Sequence, residues 1–215
     1  MRKITTEDLK ALDKVPRLNL VNSVTGYKSA NLIGSISKDG KPNLAIFSSV
    51  THLGSDPALL GFIMRPATVP RNTYKNIKET GYFTVNHVTE NLIQRAHQTA
   101  ANYLEGVSEF DATQIQHEFI AGVNQPFVKE SPVKLLCKYV SEYEIKENNC
   151  IHIIASIEEI YFEAAMLNHD YWLQLEKGNV VAINGLDGYC LPKLLDRFEY
   201  ARPNSIPKSM LKNGS

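Results

Sequence analysis

The sequence predicts a mainly β protein, an antiparallel barrel with peripheral helices, and three features carry that prediction. First, runs rich in Val, Ile, Leu and Phe recur at strand length over residues 31–37, 43–50, 58–64 and 82–88. Second, Lys38-Asp39-Gly40-Lys41 separates two of these runs, and Asp-Gly supplies the positive φ angles of a type I′ hairpin turn, so the two pair antiparallel. Third, two long runs, 133–145 and 151–162, flank Lys146-Glu147-Asn148-Asn149 and form a second antiparallel pair. Six or seven strands with few helices suit a barrel.

In chain order, the first element is a short helix. Thr5 or Thr6 caps it, Glu7 and Asp8 suit its positive end, and it stops before Pro16. Residues 18–24 then carry a strand-length apolar run, ahead of the three strands that end at Met64. A helix follows over 70–80, where Thr73, Ile77 and Thr80 share a face and Gly81 ends the element. Strand 82–88 leads into a helix over 90–103 and a polar stretch, 106–116, that reads as a loop with a short helix. The long strand pair comes after Pro132. Past Arg202, Pro203 and Pro207 precede a basic, polar end, so residues 1–203 are expected to form a single domain and 204–215 a C-terminal tail.

Composition narrows the function. The 215 residues are 43% hydrophobic and 21% charged, as in a globular chain able to bury a core. Lys plus Arg and Asp plus Glu number 23 each, so no overall field favours nucleic acid or an anionic membrane as partner. Neither a leader-like apolar segment nor a span-length run is present, and the expected location is cytoplasmic. Cys137, Cys150 and Cys190 are odd in number and lie in no CxxC pair, which argues for free thiols rather than disulfides or zinc.

Several catalytic motifs fail. There is no GxGxxG and no phosphate-binding GxxxxGK[ST], and the HExxH pattern begun at His117-Glu118 breaks at Ala121. The six histidines have no close pairing, so no metal site is expected. Two polar clusters remain. Ser48-Ser49-Val50-Thr51-His52, with Gly54-Ser55-Asp56 behind it, crowds hydroxyls and amides between two apolar runs. Strand-end polarity with an Asp-Pro turn would account for the same residues. The stretch from Met64 to Thr73 gathers Arg65, Thr68, Arg71, Asn72 and Thr73 where a strand enters a helix. Free amides and the dipole there make an anion site, and a plain helix start with solvated arginines is the other reading.

The order NLIGSISKDGKPNLAIFSSVTHLGSDPALLGF, MRPATVPRNTYKNI and TGYFTVNHV resembles the flavin reductase-like family of FMN-binding split β-barrels, and YLEGVSEF continues the likeness. The resemblance implies a Greek-key, antiparallel split barrel, a homodimer with flavin near the subunit interface, and FMN as cofactor. It places Asn31, Leu32, Ile33 and Gly34 along the flavin ring through backbone groups. Ser48, Ser49 and Thr51 would bond the ring edge, ribityl or phosphate region. Thr68, Arg71, Asn72 and Thr73 would hold the phosphate with Arg65 beside them, while Asn86 would be structural or touch flavin. Tyr189 and Tyr200 would either approach the flavin or pack in aromatic contacts. No residue is assigned as catalytic, since the flavin accepts hydride itself. The implied function is reduction of flavin or another small acceptor by NADH or NADPH, the nicotinamide binding transiently. The Gly-Asp-His motif common in such reductases is missing, which leaves a second reading: an FMN electron-transfer module reduced by a partner protein.

Overall fold

A computed structural model describes residues 1–66, 71–104 and 106–211. Helix α1, Thr6–Ala11, is capped as its sequence requires: Asp8 N–H donates to Thr5 Oγ1 at 3.2 Å and Thr5 N–H to Asp8 Oδ2 at 2.7 Å. The strand expected over 18–24 is instead most of helix α2, Lys14–Ser23. Pro16 falls in its first turn, where a missing N–H costs no helical bond, and Val15, Leu18 and Val21 recur at helical rather than alternating spacing.

The strands follow in order: β1, Lys28–Ser29; β2, Asn31–Ile36; β3, Pro42–Phe47; β4, Thr51–Ser55; β5, Ala58–Met64. Helix α3, Asn72–Thr80, ends at Gly81, whose φ of 77° places it in the left-handed region. Then come β6, Tyr82–His87, the short helices α4, Ile93–Gln98, and α5, Glu109–Thr113, and the two-residue strands β7, His117–Glu118, and β8, Phe127–Val128. The long pair is β9, Val133–Ile145, and β10, Cys150–Phe162, followed by β11, Ala182–Asn184, and β12, Gly188–Cys190. Among the described residues no helix is long and apolar enough to cross a membrane.

Seven strands form one antiparallel sheet in the order β3-β2-β6-β9-β10-β5-β4. The β2–β3 hairpin differs from the expected two-residue turn. Ser37 and Lys41 close a three-residue loop, Gly40 N–H donates to Ser37 O at 3.0 Å, and Gly40 alone takes a positive φ, 78°. This is the arrangement in which a left-handed glycine follows a tight turn, and Asp39 needs no strained backbone in it. The chain leaving β3 at one end of the sheet passes through residues 48–50 to β4 at the other end. Ser49 Oγ accepts from Ile63 N–H of β5 at 3.0 Å, so one side chain bridges the two ends and the sheet curls into a barrel.

Alternation along β2 divides the core in two. Ile33 enters the barrel interior with Phe62, Phe83, Val85 and Ile153, and Ile77 of α3 packs into the same cluster. Leu32 faces outward, to Leu44, Leu92, Ala96 and Phe110 beneath α4 and α5. A three-stranded sheet, β1-β11-β12, and the β7-β8 pair flank the barrel. The terminal segment turns back on itself, with Phe198 bridged to Ser209 and Met210 N–H donating to Arg197 O at 2.8 Å.

Candidate functional site

Two side chains anchor the polar clusters to the barrel strands. Ser49, through the Ile63 backbone, sets residues 48–51 beside the end of β5, which continues to Arg65. Asn43 of β3 reaches α3: its Oδ1 accepts from Thr73 Oγ1 at 3.0 Å and its Nδ2 donates to Glu109 Oε2 at 3.1 Å. Glu109 also accepts from Leu44 N–H at 3.1 Å. Burial of this carboxyl raises its pKa, and the Leu44 bond opposes that rise. Asn43 and Glu109 were missed in the sequence, where neither stands near another polar candidate; a buried polar residue on the inward side of a strand was the only signal for Asn43.

Arg71 occupies the N-cap of α3 and makes no capping bond, so no side chain among the described residues caps the first amides of the helix. Its Nε is buried and has no hydrogen-bond partner among the described residues. Such an orphan is costly unless a ligand satisfies it, and next to free helix amides the fitting ligand is an anion. Arg65 and Asn72 are exposed, Ser48 is half-buried, Thr51 is exposed, and none of these four side chains bonds to another described residue. Thr68 lies outside the described residues.

Other expected contacts are turned inward. The backbone of β2 pairs with β3 on one side and β6 on the other from Asn31 to Gly34, so its amides are spent in the sheet. Asn31 is buried and donates to Ser29 Oγ at 2.8 Å, while the side chains of Leu32 and Ile33 have no exposed surface. Gly34 makes room for a neighbouring segment: a Cβ there would overlap Pro126 O and sit 2.6 Å from Thr84 Oγ1. Ser49 and Thr73 have their hydroxyls engaged by Ile63 and Asn43. Asn86 is structural, donating to Leu32 O at 3.1 Å and accepting from Val128 N–H at 2.9 Å. Tyr189 packs edge-on against His97, and Tyr200 is exposed.

Residues 27–177 match the protein family described as Flavin reductase like domain. A solved structure from Shewanella frigidimarina, described as a candidate flavin reductase with a split barrel domain, is 39% identical with a TM-score of 0.90, covering 94% of this chain and 100% of that one. The 2-nitrobenzoate 2-nitroreductase of Pseudomonas fluorescens shares the fold at 20% identity, with a TM-score of 0.77 and coverage of 96% and 99%. An uncharacterised protein of Aquifex aeolicus is 30% identical over 118 residues, 53% of this chain and 60% of that protein, so the match spans under two thirds of that relative.

Proposed function

Because this chain belongs to the flavin reductase-like family, we propose that it binds FMN and uses NADH or NADPH to reduce flavin or another small acceptor. The observation that carries this reading is the orphaned Arg71 Nε at the uncapped start of α3. A phosphate placed there accepts from the guanidinium and from the first helix amides together. Arg71 and the amides of Asn72 and Thr73 would hold the FMN phosphate, with Thr68 and Arg65 beside it. Ser48 and Thr51 would turn their hydroxyls to the ribityl chain or ring edge.

The remaining expected residues take positioning roles in this proposal. Ser49 holds the 48–51 segment against β5, Thr73 holds α3 against β3, and Asn31 to Gly34 form the rigid wall behind the site. When bound, the flavin supplies the hydride-accepting centre, and the protein supplies orientation and exclusion of water. No acid or base is needed from the chain for hydride transfer itself. The same reading takes residues 1–203 as one domain with a tail at 204–215, a cytoplasmic location, and a homodimer. The homodimer is supported by α2, which buries none of its residues and exposes Val15, Leu18 and Val21.

The test begins with an absorbance spectrum of protein mixed with FMN and desalted, followed by anaerobic NADH and then NADPH in a stopped-flow instrument. Retained flavin that bleaches on mixing is expected. Failure to bind FMN, at equilibrium as well as after desalting, would overturn the proposal. The missing Gly-Asp-His motif, with His152 and Ser156 on β10, favours a second reading, a module reduced by a partner protein. Flavin that binds but stays oxidised with both nicotinamides would select it.

A further inference from the structure

A separate pocket of about 210 Å³ lies where β1 and β11 meet the end of β6. Ser29 pairs with Ala182, and His87 pairs with Asn31, two residues beyond Ser29, which brings the lining residues Ser29, Ala182 and His87 together. Leu175, Val180 and Pro192 help close the pocket, and most of its wall is aliphatic. Its polar groups are largely occupied. Ser29 Oγ donates to Val50 O at 2.9 Å, Lys28 Nζ to Asn22 O at 2.7 Å, and Glu176 Oε1 accepts from Gln174 at 3.0 Å. The His87 imidazole has no partner among the described residues, and desolvation lowers its pKa to about 4, so at neutral pH it is uncharged with one N–H to offer.

We propose that this pocket binds an uncharged single-ring carbonyl compound of the quinone class, its oxygen accepting from His87 and its ring lying against the aliphatic wall. Size supports a single ring: apolar cavities near 150 Å³ admit benzene, whereas clefts for larger ligands run from about 300 Å³ upward. Position links the pocket to the first polar cluster, because the Ser29 hydroxyl that lines it is bonded to Val50, between Ser49 and Thr51. The use of the pocket as an acceptor subsite rests on the flavin reading above. With flavin bound and reduced, the step would take quinone to hydroquinone: the flavin would supply a hydride, two electrons and a proton, becoming oxidised itself, and water would supply the second proton. Occupancy of the pocket is testable without flavin.

The experiment titrates duroquinone, whose ring carbons are fully methylated against thiol addition, into flavin-free protein by ligand-observed NMR, and repeats it with saturating FMN. Leu175→Trp fills the pocket from its exposed edge and should weaken binding at least tenfold. His87→Phe keeps a ring but removes the donor and should weaken it about fivefold. FMN affinity, titrated separately, should stay within twofold in Leu175→Trp. Unchanged duroquinone affinity in folded Leu175→Trp overturns the proposal. So does direct competition between duroquinone and FMN, which would make the pocket part of the flavin's own site. Duroquinone binding in a protein that never binds FMN would leave the subsite standing and remove the flavin reading instead.

Discussion

Arg71 and Gly34 show how differently two residues from one resemblance behave. Arg71 keeps a buried nitrogen unpaired among the described residues, so truncating it should remove a charge-assisted bond to FMN worth about 1.5–3 kcal/mol. Titration of FMN into Arg71→Ala should therefore show roughly 10- to 100-fold weaker binding in a protein with unchanged melting temperature. Equal affinity would place the phosphate elsewhere. Gly34 answers to packing, since Pro126 O occupies the space of its absent Cβ and belongs to backbone that cannot swing aside. Gly34→Ala should destabilise by about 1–3 kcal/mol, lowering the melting temperature by roughly 2–12 °C. The candidate site was legible in the sequence where it consists of unpaired groups at chain turns, as in Ser48, Thr51 and Arg71. It was illegible where partners come from distant strands: nothing near Thr73 announces Asn43, and nothing near Ser49 announces Ile63.

Among the elements, α5 is short, and Glu109 links it to both β3 and α3 through Leu44 and Asn43. Burial raises this carboxyl's pKa, so between the usual glutamate value and the raised one the folded state holds more protons than the unfolded state. The sign follows: stability from this group is full below that window and falls as pH rises through it. Glu109→Gln, which keeps the acceptor for Leu44 N–H, should lose that downward slope when melting temperature is followed upward from about pH 4.5. An identical slope in both proteins would show the carboxyl to be unperturbed. His87 acts in the opposite sense, its depressed pKa costing stability as pH falls from about 6.5 toward 4, so the comparison must be variant against parent. Long elements such as β9 and β10 were plain in the sequence because length and apolar content agree there. The strands β1, β7, β8, β11 and β12 were not, since two or three residues carry no period, and α2 was taken for a strand because its apolar residues are dense enough to fit either.

At the scale of the whole molecule, the exposed apolar residues of α2 need a cover. The helix carries Val15, Leu18 and Val21 at 63%, 41% and 45% exposure, neighbours at three-residue spacing on a surface that no other described part of this chain buries. Its end is also tied to the barrel, through Lys28 Nζ on Asn22 O, one residue before the Ser29 that touches both the pocket and Val50. A second copy packed on α2 would hide the apolar stripe and stiffen the β1 edge beside the proposed flavin site. Light scattering after size exclusion should then give about 48 kDa, twice the 24.1 kDa of one chain. Leu18→Glu combined with Val21→Glu sets two charges into that stripe without disturbing any buried residue, and should yield a folded species of monomer mass. Dimer mass retained by the double variant would mean that the protomers meet through another surface.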